Sequence, residues 1–315
     1  MAMEFAFAGL GLVILLLAGD LLVKGAVNLS LRLGISALIV SLTVVAFGTS
    51  APELLISIKS VVDGVPGLAL GNVVGSNTAN VLLVLGVPAL ISGLQAESDT
   101  RRNFLFMIGG TFLFIGLAFL GPLTWWHGLI LLFGLVVVLG DAIMTAAPVS
   151  GAGDGPGEDD LEGVDPDMPS WRIGIYLLLG LIGLPLGADL LVDSATSIAR
   201  AVGVTETVIG LTLVAVGTSL PELATTVVAA LRRHADVAIG NVIGSNVFNL
   251  LAIIGIAALV GPIPVDPVFL SFDLWVMLAA SLVLVPFVFL GWRMGRTVGI
   301  VFCALYLIYL VMVLQ

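Results

Sequence analysis

The chain is 315 residues long, with 59% hydrophobic residues, only 10% charged ones and a mean hydropathy of +1.21. A soluble globular domain carries roughly 25% charged residues, so the composition excludes that class and makes lipid the solvent for most of the chain. With a net charge of −10 no nucleic-acid partner is expected, and a single cysteine, Cys303, excludes a disulfide framework or a Cys/His zinc pattern.

In chain order, ten apolar stretches can be drawn, at about 5–24, 35–61, 67–92, 104–120, 125–143, 172–195, 204–230, 236–260, 269–290 and 296–314. Each is near or above the ~20 residues that cross a bilayer as a helix. The first opens with Glu4 instead of a basic region and reaches Gly19-Asp20 without a small-x-small cleavage site, so it is expected to stay as a helix. Trp125, Trp126, Trp171 and Trp292 fall at span ends, the headgroup level that amphipathic rings prefer. His127 and His234 also lie at helix ends and suggest no metal site. Between the fifth and sixth stretches, the Gly/Pro-rich run 146–171 holds seven of the 21 acids. That composition cannot bury a core and reads as a flexible acidic linker between a first unit, 1–145, and a second, 172–315.

The two units repeat one another. Gly48-Thr49-Ser50-Ala51-Pro52-Glu53 recurs as Gly217-Thr218-Ser219-Leu220-Pro221-Glu222, and Gly71-Asn72-Val73-Val74-Gly75-Ser76-Asn77 as Gly240-Asn241-Val242-Ile243-Gly244-Ser245-Asn246. The offset is constant: 189 less 20, 222 less 53, 245 less 76 and 249 less 80 all equal 169. Five spans per unit is an odd number, so the second unit is expected to enter the membrane upside down. Charge agrees, because cytoplasmic loops collect Lys and Arg. Loops after the odd-numbered spans carry Lys24, Arg32, Arg101, Arg102, Arg172, Arg232, Arg233, Arg293 and Arg296, whereas the opposite face has Lys59 and Arg200. The expected fold is therefore an all-α integral membrane protein, ten transmembrane helices in two inverted five-helix repeats. Both termini are expected outside the cell membrane and the linker in the cytoplasm.

Chemistry concentrates at Glu53 and Glu222, which lie at matching places in spans two and seven. A carboxylate at bilayer depth costs several kcal/mol unless a cation or proton neutralises it. Pro52 and Pro221 have no N–H, and their rings clash with the carbonyls of Gly48 and Gly217 four residues earlier. Each GTS-x-PE thus predicts a discontinuous helix that offers hard oxygen donors, tolerated at depth where it lines a cavity. Such donors suit calcium and sodium, not metals that prefer thiolate or imidazole. In spans three and eight, Ser76 and Asn80 share one helical face, as do Ser245 and Asn249, and each face can point at the opposing glutamate. Gly71, Gly75, Gly240 and Gly244 are read as close helix packing. Asp20 and Asp189, near span ends, can be satisfied by interfacial water.

At these residues the chain resembles the sodium/calcium exchangers of the calcium:cation antiporter superfamily, whose two repeats carry GTS-x-PE and GS-N-x-x-N elements. The resemblance implies a secondary transporter with no cofactor, and a four-helix core across which the first and sixth helices slide. It implies an ion site made of the Ala46 and Ala215 carbonyls with Thr49, Ser50, Glu53, Ser76, Asn80, Thr218, Ser219, Glu222, Ser245 and Asn249, and calcium held by Glu53, Glu222, Thr49 and Thr218. Potassium-dependent relatives have an aspartate where this chain has Asn249, which argues against potassium co-transport. Two carboxylates balance one Ca2+, so a load of more than two Na+ would make exchange electrogenic. A proton-coupled calcium exchanger is the alternative reading.

Overall fold

A computed structural model describes residues 2–96, 100–145, 164–203 and 215–313. These are helical apart from turns, loops and two isolated β-bridges. The helices are α1 (Ala2–Leu33), α2a (Ala37–Thr49) and α2b (Ala51–Val62), α3 (Gly67–Ile91), α4 (Thr100–Ala118), α5 (Trp125–Met144), α6 (Ser170–Ala201), α7a (Ala215–Thr218) and α7b (Leu220–Leu231), α8 (Ala235–Val260), α9 (Phe269–Phe289) and α10 (Arg296–Val313). Seven of them, α1, α3, α5, α6, α8, α9 and α10, are long and apolar enough to cross a membrane, and the bent pair α2a–α2b makes an eighth if taken as one span.

Apolar side chains cover the outside. Leu17 of α1, Phe133 of α5, Leu178 of α6 and Leu307 of α10 are all exposed, as expected where lipid is the solvent. Polar side chains are held inside instead, on α2, α3, α7 and α8. Trp125, Trp126 and Trp171 are exposed at helix starts and Trp292 just beyond the end of α9. His127 closes a capping box with Thr124, whose backbone N–H donates to Nδ1 at 3.0 Å, so its role is structural. The Cys303 sulfur packs over Gly86.

The long helices α1 and α6 run antiparallel through glycines that let the backbones touch. Gly11 meets Leu191, and Gly180 meets Leu22. Those pairs are exchanged by the 169-residue offset, since 180 less 11 and 191 less 22 are both 169. The β-bridges follow the offset at one end only: Leu94 pairs with Met294, while Ile263, the counterpart of Leu94, pairs with Leu123, two residues short of the counterpart of Met294. Of the acidic linker, residues 146–163 lie outside the described part. Its end is docked, because the Asp165 N–H donates to Asn28 Oδ1 at 2.9 Å and Met168 is buried.

Candidate ion-binding site

Both GTS-x-PE segments break their helices at the serine. Ser50 (φ −85°, ψ 2°) separates α2a from α2b, and Ser219 (φ −89°, ψ 4°) separates α7a from α7b. Each proline sits in the first turn after the break, where its missing N–H costs nothing. The bend between α2a and α2b is 43°. Glu53 and Glu222 follow in those first turns and are fully buried.

The breaks from the two halves meet. Ser50 Oγ donates to Glu222 Oε1 at 3.2 Å, and the hydroxyls of Thr49 and Ser245 lie beside the same carboxylate. Glu53 is near enough to feel the Glu222 charge. Around them, several buried oxygens have no hydrogen-bond partner from another of the described residues: both of Glu53, Oε2 of Glu222, Oδ1 of Asn80 and of Asn249, and Oγ of Ser219. A buried carboxylate left so is heavily destabilised unless a cation or a proton neutralises it. The donor set contains carboxylate, amide and hydroxyl oxygen only, which fits a hard cation carried as cargo. No cluster of three His, Cys, Asp or Glu exists among the described residues.

The structure places the remaining residues unequally. Asn80 opens a π-helical turn in α3 (Asn80–Val84), and Asn249 lies in the one in α8 (Phe248–Ile253); such turns often mark functional sites. Ser76 is buried and Thr218 lines both neighbouring cavities. The Ala46 carbonyl is already engaged, accepting from the Ser50 N–H at 3.0 Å and from Thr49 Oγ1 at 3.3 Å. Ala215 is the first residue of α7a.

Two supporting asparagines escape a motif reading. Asn72 Nδ2 donates to the Glu53 carbonyl (3.4 Å) and to Ser57 Oγ (3.4 Å); Asn241 Nδ2 does the same for the Glu222 carbonyl (3.5 Å) and Thr226 Oγ1 (3.2 Å). The signal was present, since 72 less 53 and 241 less 222 are both 19. A third, Asn246, accepts from Asn80 Nδ2 at 3.0 Å and so turns Asn80 Oδ1 away from itself. Replacing Asn241 by leucine is expected to weaken calcium binding about 10- to 100-fold, as loss of a ligand-orienting partner does; equilibrium binding to purified protein checks it.

The surroundings are asymmetric. A cavity of about 460 Å3 between α2b, α3, α9 and α10 reaches Ser76 and Thr218, and one of about 120 Å3 beside α6 reaches Thr218 past Asp189 and Asp193. Among the described residues a Cβ on Gly75 would meet nothing within 4 Å and one on Gly71 the Phe269 ring at 3.8 Å, whereas a side chain on Gly240 or Gly244 would strike the Leu38 or Leu42 carbonyl. Close packing therefore holds for the second pair, while positions 207 and 211, the counterparts of Leu38 and Leu42, lie outside the described residues. Asp20, on the packed side, is ion-paired to Lys24 at 2.9 Å and to Arg232.

The family model described as "Sodium/calcium exchanger protein" matches residues 3–143 and 173–315. The chain is 34% identical to the inner membrane protein YrbG of Escherichia coli (strain K12), over 99% of this chain and 97% of that one. It is also 34% identical to the sodium/calcium exchanger MaX1 of Methanosarcina acetivorans, over 98% and 97%. Among solved structures, the sodium-calcium exchanger NCX_Mj superposes with a TM-score of 0.84 at 30% identity, covering 98% of each chain.

Proposed function

The chain belongs to the sodium/calcium exchanger family, and from that membership we propose that it exchanges Na+ for Ca2+ at one midplane site shared by Glu53 and Glu222. As a family member it is a multi-pass membrane protein and a cation/calcium antiporter, a secondary transporter and not an enzyme. The observation that carries the shared site is the hydrogen bond from Ser50 of the first half to Glu222 of the second, beside a Glu53 carboxylate with no partner of its own. Thr49, Thr218, Ser76, Asn80, Ser219, Ser245 and Asn249 complete the cage, with the Ala215 carbonyl, which the Ser219 N–H passes over for Val216, and the Ala46 carbonyl once its helix turn loosens. The neutral Asn249 leaves two charges for one Ca2+, so more than two Na+ per cycle moves net charge.

Ten spans in two inverted repeats, 1–145 and 172–315, is the architecture we adopt. The reciprocal contacts of α1 with α6 support it, because a two-fold axis pairs residue i with j and the counterpart of j with that of i. In that frame the open cavities face outside, as do both termini, in the cell membrane. Sodium coupling rests on the oxygen cage, which a proton does not need. It is tested by calcium uptake into sodium-loaded proteoliposomes against a pure proton gradient: uptake with sodium alone is expected, and uptake with protons alone would reverse the assignment.

Alternation needs the packed side to open. Asp20, Lys24 and Arg232 join α1 to α7b there, while their counterparts at the offset of 169, Asp189, Asp193 and Asp63, are all acids. Attraction on one side and repulsion on the other favour the observed state. Breaking the half-exposed pair with Arg232→Gln is expected to release about 1 kcal/mol of bias, roughly fivefold in population. The readout is thiol labelling from the packed side of a cysteine placed at Thr225, whose counterpart Ile56 lines the open cavities, in a Cys303→Ser background. Unchanged labelling would remove the latch.

A further inference from the structure

The larger cavity holds a carboxylate that the ion site does not use. Asp273 lies at the end of a π-helical turn in α9 (Phe269–Asp273) and is 9% exposed. It is the only carboxylate among the described residues lining the ~460 Å3 space that reaches Ser76 and Thr218. Tyr309 of α10 donates its hydroxyl to Oδ1 at 3.3 Å, and no Lys or Arg among the described residues pairs with the acid. Its counterpart in the first half, 273 less 169, is Phe104, an apolar core residue. Asp273 is therefore not part of the duplicated machinery.

An isolated acid in a membrane helix is costly and marks an ion path when it faces a water-filled space. Here the walls are mostly apolar, with Phe269, Leu68 and Leu310 among them. A single charge inside low-dielectric walls draws cations inward, and a divalent one twice as strongly as a monovalent one. We propose that the charge of Asp273 makes an entry site for Ca2+, a one-carboxylate staging post through which the ion passes to Ser76 and the paired glutamates. The inference rests on the calcium exchange proposed above. One acid with a hydroxyl and the Asn72 amide in the same cavity makes a weak site, which suits a position an ion must leave again.

The test is the KM for calcium measured in membrane vesicles of the two opposite orientations. Asp273→Asn is expected to raise KM about tenfold, within the range of electrostatic focusing, only when calcium is presented to the cavity side, with the maximal rate retained. Asp273→Glu is expected to restore the wild-type KM, and Tyr309→Phe, which keeps the charge, to stay within about twofold of it. Wild type alone supplies a second arm: impermeant choline chloride should raise KM on the cavity side and not on the other, because salt screens the field. A KM unchanged in Asp273→Asn, a shift equal from both faces, or a Tyr309→Phe variant that copies Asp273→Asn would overturn the entry site and leave the exchange reading standing. A wild type that carries no calcium would overturn both.

Discussion

Glu222→Gln is expected to abolish calcium uptake, and Glu53→Gln to do the same. Each substitution keeps the shape of the side chain and removes one of two charges that together neutralise Ca2+. In a buried setting, taking away one member of a charge constellation costs about 3 kcal/mol or more, roughly 100-fold in affinity. The two are not expected to behave identically in every respect. Glu222 Oε1 already accepts from Ser50, so a glutamine there can keep that hydrogen bond, whereas Glu53 has no partner from another residue for the amide to inherit. Both variants are expected to remain folded, since neither loses a packed apolar group. Initial uptake rates in sodium-loaded proteoliposomes, with protein amount checked by size-exclusion profile, decide the matter; retention of more than a tenth of the rate in either variant would count against a ligand role.

The second large effect concerns two glycines that look alike in sequence. Gly75 and Gly244 occupy the same place in GN-x-x-GS. A Cβ on Gly244 would stand 2.4 Å from the Leu42 carbonyl and 2.6 Å from the Ala46 Cβ, both in α2a, whereas a Cβ on Gly75 meets nothing within 4 Å among the described residues. Gly244→Val is accordingly expected to force α8 from α2a and move Ser245 and Asn241 with it. Overpacking costs about 1 to 3 kcal/mol in stability, and displacement of ligands on that scale is expected to remove transport. Gly75→Val is expected to leave the stability of the observed state within about 0.5 kcal/mol of wild type. Thermal unfolding of both purified variants, followed by uptake, separates them. Equal tolerance, or equal loss, would mean that the packing asymmetry is not a property of the resting protein.

Much of this site is legible in the sequence, and for identifiable reasons. Gly-Thr-Ser ahead of a proline loosens a helix just upstream of the ring, so the interruptions at Ser50 and Ser219 follow from local chemistry, whereas Pro185, without that lead-in, sits inside an unbroken α6. The repeat places Glu53 and Glu222 in equivalent positions without any knowledge of packing. What escaped depends on the third dimension. Asn72 and Asn241 touch the glutamates' backbone only because α3 and α8 lie beside the breaks, and the π-helical turns at Asn80–Val84 and Phe248–Ile253 leave no mark in the order of apolar residues. Gly71, Gly75, Gly240 and Gly244 were read as packing because small residues in membrane helices usually pack, and the last two do so against α2a. Asp20 was assigned to interfacial water; Arg232, more than 200 residues away in sequence, claims it instead.

The central claim is that two half-sites make one. Equilibrium calcium titration of the purified chain, at low sodium, addresses it without a transport assay. One Ca2+ bound per chain in the wild type, and none at the same concentrations in either Glu53→Gln or Glu222→Gln, is the expected result. Two ions bound per chain, with one surviving in each single variant, would mean that each GTS-x-PE segment holds its own ion and would contradict the shared site.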